Sequence, residues 1–203
     1  MTWDPATPAE VAVLFASAGV PWWIAGGYAI ELAVGHAFRA HADVDVLFLR
    51  RDQAAVQAAL PSWEWWAADP PGTLRPWLPG EVLPPGVDDV WCRPGPSAPW
   101  RIQIMLDETE GDEWISRRNP AVRRPVSRLG AVSAGGIPYL APEVQLLAKA
   151  RDTRPKDERD FTAALPVLDT AQRRWLAAAL APDHPWQDRL QAARPSRARR
   201  GSR

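Results

Sequence analysis

A single cysteine, Cys92, leaves the chain unable to close an internal disulfide, which suits a reducing compartment. No apolar run approaches the roughly 18–20 residues that a membrane-crossing helix needs. The N-terminal stretch MTWDPATPAE has no basic n-region, so the expectation is a cytoplasmic chain with no secretory leader. Net charge is missing as well. Lys plus Arg equals Asp plus Glu, 24 of each, so nothing pulls the whole chain toward nucleic acid or membrane. No internal repeat is visible.

What is present fits one sizeable domain, or one with a small helical appendage, in 203 residues. Thr7-Pro8-Ala9-Glu10 is a helix start with a capping box. That helix carries Val11, Leu14 and Phe15 and stops at Gly19. Residues 21–25 predict a short buried strand, broken by Gly26-Gly27 ahead of a helix that ends near Gly35. Asp43 to Leu49 predicts a strand, followed by a helix over roughly 52–60 and a Trp-rich strand at 63–67. Residues 69–86 are dense in Pro and Gly and predict a loop; strands are expected near 87–93 and 100–107. Residues 117–136 are irregular and start with a run of arginines, Arg117, Arg118, Arg123, Arg124 and Arg128, whose ordinary role is a solvated loop. Pro142, Pro155 and Asp169 each open a helix. These segments predict an α/β core over 1–137, a helical segment over 138–190 and a disordered basic tail over 191–203.

The chemistry concentrates at Asp43-Val44-Asp45. Alternation along a strand puts the two carboxylates on one face, about 7 Å apart at Cα, with Val44 on the other. Such a pair repels itself unless a cation lies between, and magnesium suits it because it takes carboxylate and phosphate oxygens together. The spacing alone also fits an ordinary solvated strand face. Upstream, Gly26-Gly27 lets phosphate approach the backbone at a helix N-terminus. Arg39 and His41 lie just before the carboxylates, within reach of the same phosphates; a structural His41 is the plain alternative.

Taken together, WIAGGYAIELAVGHAFRAHADVDVLF resembles the antibiotic nucleotidyltransferases of the polymerase-β-like superfamily, and aminoglycoside 2″-adenylyltransferases and lincosamide nucleotidyltransferases in particular. Their pattern is GG-(W/Y)-(A/G), then T-R-x-H-x-D-(I/V/L)-D in a strand. This chain keeps the glycines, Arg39, His41, Asp43 and Asp45, with Phe38 where Thr is usual. The match spans about 26 residues. It implies an α+β nucleotidyltransferase fold, a small mixed sheet flanked by helices and followed by a short helical segment. It also implies Mg²⁺, two ions by family habit, and a nucleoside triphosphate, ATP by family weight. The acceptor it implies is a small-molecule hydroxyl, aminoglycoside-like. A second stretch, from Tyr139-Leu140-Ala141-Pro142-Glu143 to Asp160-Phe161, resembles the C-terminal helices of related nucleotidyltransferase-like proteins. It makes Lys149 the first candidate for a triphosphate contact and Lys156 the second. Asp157 and Asp160, three apart on a helix, have local ion pairing as their plain role.

The superfamily adds a third carboxylate from a neighbouring strand, which shares a metal and serves as base. In the strand near 100–107, Gln103 stands where that carboxylate is expected, and an amide is no base. Asp107 lies on the same face about 13 Å further on; it is the favoured candidate, with Asp89 as the other. Two further outcomes stay open: a module that binds nucleotide or a partner without transferring anything, and a toxin-type enzyme that AMPylates protein hydroxyls. Trp63, Trp65, Trp66, Trp77 and Trp91 are either packing or a stacking wall for adenine or an aromatic acceptor.

Overall fold

The computed structural model describes residues 2–192; the tail expected to be disordered lies almost wholly outside them. Ten strands form one mixed sheet: β1 (Trp22–Ile24), β2 (Asp45–Leu49), β3 (Glu64–Ala68), β4 (Leu74–Pro76), β5 (Asp89–Arg93), β6 (Ile102–Glu110), β7 (Glu113–Ile115), β8 (Arg123–Pro125), β9 (Gly130–Val132) and β10 (Pro138–Leu140). Their order is β4-β3-β5-β6-β2-β1-β10-β9, with β7 on the far end of β6 and β8 beyond it. β2 runs parallel to β6 and β1 parallel to β10, while the remaining pairs are antiparallel.

Seven α-helices accompany the sheet among the described residues: α1 (Pro8–Leu14), α2 (Gly26–Val34), α3 (Gln53–Ala59), α4 (Pro142–Lys149), α5 (Pro155–Ala164), α6 (Thr170–Ala179) and α7 (Gln187–Ala192). The expected capping box of α1 is formed, with Glu10 accepting from Thr7 N–H at 2.7 Å and Thr7 Oγ1 accepting from Glu10 N–H at 3.2 Å. Asp169 caps α6 in the same way. Gly35 ends α2 in the left-handed region at φ 88°, where glycine alone is comfortable.

Alternation sorts the sheet into two faces. Val44, Val46, Phe48, Trp65, Val90, Cys92, Ile102 and Ile104 point to one core with Phe15 of the α1 end and Val56 of α3. The other face carries Leu47 and Leu49 beneath Ala29 of α2 and Val144 of α4. A third cluster joins Ile30 of α2 to α4, α5, α6 and α7 through Leu146, Phe161, Leu176 and Leu190.

The structure changes several local expectations. The strand starts at Asp45, so Asp43 sits just ahead of it. The Pro-rich loop contains β4, and residues 117–136 contain β8 and β9. Three of the five arginines there are ion-paired: Arg117 with Asp107 at 2.6 Å, Arg124 with Glu143 at 2.7 Å, and Arg123 with Glu110. β10 lies beyond residue 137 yet pairs directly with β1. The sheet therefore reaches into the segment expected to be purely helical, and it is larger than the small sheet expected. At the C-terminal end α7 runs through Ala192, two residues into the expected tail.

Candidate active site

Asp45 opens β2 with its side chain on the face that α2 and α4 roof. Val44 before it is fully buried in the opposite core, and Asp43 sits ahead of the strand. Burial raises the Asp45 carboxyl to about 7, and the neighbouring Asp43 pushes in the same direction; Lys149 pulls it back, Asp89 adds a smaller upward push, and Lys156 also lowers it. A carboxyl so disfavoured as an anion stands ready for a divalent cation. Two hard oxygen donors side by side are the set that magnesium takes together with substrate phosphates. Among the described residues no cluster of three or more His, Cys, Asp or Glu side chains converges on one point. The donors fit a cation that completes its shell from phosphate and water.

The two glycines are explained by the side chains behind them. A Cβ on Gly26 would lie 2.1 Å from Asp45 Oδ2, and its φ of +63° is one that L side chains rarely adopt. A Cβ on Gly27 would lie 2.0 Å from an Arg39 guanidinium nitrogen and 2.4 Å from the His41 ring. Bare backbone at the start of α2 thus lets the carboxylate and the preceding loop close on the helix. The Gly26 N–H is already used, donating to Gln145 Oε1 of α4 at 2.7 Å.

Arg39 and His41 hold the loop. Arg39 forms a bidentate pair with Asp160 of α5, at 2.7 and 3.0 Å, and both groups are largely removed from solvent. His41 stacks on Tyr28, with centroids 4.0 Å apart, and its Nε2 lies 3.0 Å from Glu31. Glu31 also accepts from the Phe38 and Arg39 N–H groups, at 3.0 and 3.2 Å. Burial pushes the Glu31 carboxyl up, but these donors outweigh it and keep the pKa below the usual value. The Arg39 guanidinium is taken up by Asp160 and the Ala40 carbonyl, and His41 Nε2 by Glu31, so both side chains tie down the segment ahead of Asp45.

Lys149, at the end of α4, lies 2.8 Å from Asp160 and 3.2 Å from Asp157. Asp157 in turn caps α5 by accepting from Arg154, whose Nε is at 2.7 Å. A chain of alternating charge therefore runs Arg39–Asp160–Lys149–Asp157, buried throughout, and ends at the exposed Arg154. Lys156, half-buried in the first turn of α5, makes no ion pair among the described residues. Lys149, Gly26 and Asp45 line one cleft of about 410 Å³, together with Arg117, Arg118 and Arg151.

Asp107 lines the same cleft but is not brought to Asp45. The parallel register sets Asp45 beside Gln103 and Asp107 beside Leu49, four residues further along. Asp107 is buried and already engaged, accepting from Trp114 Nε1 at 2.6 Å and pairing with Arg117 Nε at 2.6 Å. Burial raises its pKa, against the pull of Arg117. Asp89 is the carboxylate that does act electrostatically on Asp45. It shares the face, opposite Met105 in register, and accepts from Gln103 Nε2 at 3.3 Å.

Three residues escaped the sequence reading: Glu31, Gln145 and, as a clamp, Asp160. The first two carried no signal, because nothing in a helix pattern says which polar residue turns inward. Asp160 did carry one, the K-D-x-x-D spacing, but the partner it meets is Arg39, 121 residues away.

The aminoglycoside-2″-adenylyltransferase family model matches residues 9–65, the stretch from α1 through the start of β3. No curated protein sequence matches the chain. Among solved structures, the chain is similar to ANT(2″)-Ia in complex with adenylyl-2″-tobramycin at 14% identity and a TM-score of 0.54, covering 84% of this chain and 93% of that one. It is similar to the lincosamide antibiotic adenylyltransferase LnuA, lincomycin-bound, at 15% identity and a TM-score of 0.56, covering 83% and 100%. The solution structure of ANT(2″)-Ia gives 16% identity, a TM-score of 0.55 and 91% coverage of both. The fold is that of the antibiotic nucleotidyltransferases, as the resemblance implied.

Proposed function

We propose that this protein is a magnesium-dependent nucleotidyltransferase that moves a nucleoside monophosphate, AMP by family weight, from a triphosphate to a hydroxyl of an antibiotic-like small molecule. The carrying observation is Asp45, closed against Gly26 in a cleft with cations on its walls, with the Asp43 charge acting on it from just ahead of the strand. Asp43 and Asp45 would hold the metal. When bound, it would polarise the α-phosphate and lower the pKa of the attacking hydroxyl.

This chain's own residues do the rest. Lys149 and Lys156 offset phosphate charge near Asp45, with Arg118 and Arg151 further along the cleft. Glu31, Arg39 and His41 fix the loop so that the two carboxylates keep their geometry. Asp89 is better placed than Asp107 to take the acceptor's proton, since it acts on Asp45 and shares its face.

Incubation with ATP labelled on its α-phosphate, Mg²⁺ and a panel of aminoglycosides and lincosamides tests the reading. Label should pass to an acceptor, and Asp45→Asn should lower the rate by about 10³-fold or more. Tight MgATP binding with no transfer to any acceptor, protein hydroxyls included, would leave the non-catalytic binding module in its place.

A further inference from the structure

The tryptophans that look like one cluster in the sequence are divided by the sheet. Trp65 is buried in the core with Trp77, ring centroids 5.8 Å apart. Trp66, next along the strand, faces the other way. The register then carries Trp66 across the sheet: it pairs with Trp91, Trp91 with Gln103, and Gln103 with Asp45. One lateral row on the catalytic face therefore runs from Asp45 to two indoles. By strand spacing, Trp91 stands about 10 Å from Asp45 and Trp66 about 14 Å.

Neither indole has the burial of a core residue; both are half-buried, as is Trp3. They are nevertheless fixed. Trp3 and Trp100 pack edge-on against Trp91 at 5.0 and 5.7 Å, and Trp100 meets Trp66 at 6.2 Å. Arg93 lies over Trp100 at 4.5 Å, and its charge is cancelled by Glu64 at 2.8 Å. The helices α2 and α4 roof the other half of this face, over β1, β2 and β10.

We propose that this tryptophan row is the acceptor subsite, and that it takes a neutral or singly charged hydroxylated ring compound whose apolar face stacks on Trp91 and Trp66. The inference rests on nucleotidyl transfer at Asp43 and Asp45 as proposed above. In-line transfer needs the acceptor to approach Asp45 from a side the triphosphate leaves open. The α4 side holds the cations suited to phosphate, and the row is the other approach. An indole face suits the C–H face of a sugar ring or a planar ring, and about 10 Å is the reach of one or two such rings. The charges also discriminate. Asp88 is committed to Arg50 and Glu64 to Arg93, so Asp89 is the carboxylate left along the row. A polyamine finds too few counter-charges there, and one hydroxyl or one amine finds enough.

Isothermal titration of the Mg²⁺-loaded protein holding a non-hydrolysable ATP analogue tests this, with lincomycin, a thiosugar bearing one basic amine, and tobramycin, a polyamine, as probes. Lincomycin should bind at least about tenfold tighter than tobramycin. Trp91→Leu and Trp66→Leu should each weaken lincomycin about tenfold, while Trp91→Phe retains most of the affinity. Titrating the analogue alone into the same variants should give wild-type affinity. Tighter binding of tobramycin, no lincomycin binding, or lincomycin affinity unmoved by either leucine substitution overturns the subsite and leaves nucleotidyl transfer standing. Failure of the analogue to bind wild-type protein would instead overturn the nucleotidyltransferase reading, and the subsite with it.

Discussion

Replacing Asp45 by asparagine removes a charge that burial and Asp43 already disfavour, so its effects on stability and on chemistry should diverge. The folded carboxyl titrates near 7, against about 3.9 for an unfolded aspartate. Between those values the native state binds the extra proton. Stability from this group is therefore present at low pH and lost as pH rises through 7. The melting temperature of the metal-free protein should fall between about pH 4 and pH 7, and that of Asp45→Asn should fall less, as calorimetry across that range would register. Mg²⁺ should restore the wild type at the upper end and leave the variant unchanged. Gly26→Ala meets two obstacles at once, the positive φ and the Asp45 carboxylate in the space of the new Cβ. It should cost about 1–3 kcal/mol in denaturant titrations, together with most of the transfer rate. At this scale the sequence marked the residues of the pattern but not their neighbours in space. Arg39 was legible as part of the pattern and was expected to reach phosphate, but its partner Asp160 is far away in sequence.

Between elements, the Arg39–Asp160 pair ties the loop ahead of β2 to α5. Both side chains are nearly excluded from water; removing Asp160 leaves the Arg39 charge buried without its ion-pair partner, while removing Arg39 leaves Asp160 held by Lys149 alone. Asp160→Asn should lower stability by about 3–5 kcal/mol in urea unfolding, and Arg39→Met by less. The double substitution Arg39→Met with Asp160→Leu should recover part of that loss, which a double-mutant cycle measures. Transfer activity should stay low in the double variant, because the loop that sets Asp43 is no longer anchored. Helix ends were the most legible elements: Thr7, Pro142, Pro155 and Asp169 announced starts that the structure has. Short strands were the least legible. β4, β8 and β9 have three residues each, too few for alternation to show, and their pairing partners define them.

For the whole molecule, the expected boundary near residue 137 is not a seam. β10 pairs with β1, Gln145 of α4 takes the Gly26 N–H, and Ile30 of α2 packs among the C-terminal helices. A fragment ending at residue 137 would expose that core and leave the Gly26 N–H unpaired. It should show no cooperative thermal transition by circular dichroism, in contrast to the full chain. Fold class, the carboxylate pair and the glycine pair were set by the sequence itself, since alternation, helix caps and the GG…D-x-D spacing are local and survive reading in one dimension. The third carboxylate was not. Whether Asp107 or Asp89 stands near Asp45 depends on the register between β2, β6 and β5, which fixes Gln103 beside Asp45 and sends Asp107 four residues away. The same register separated the tryptophans into core and ledge. Strand pairing is a long-range choice made by packing, so only the tertiary structure could decide either question.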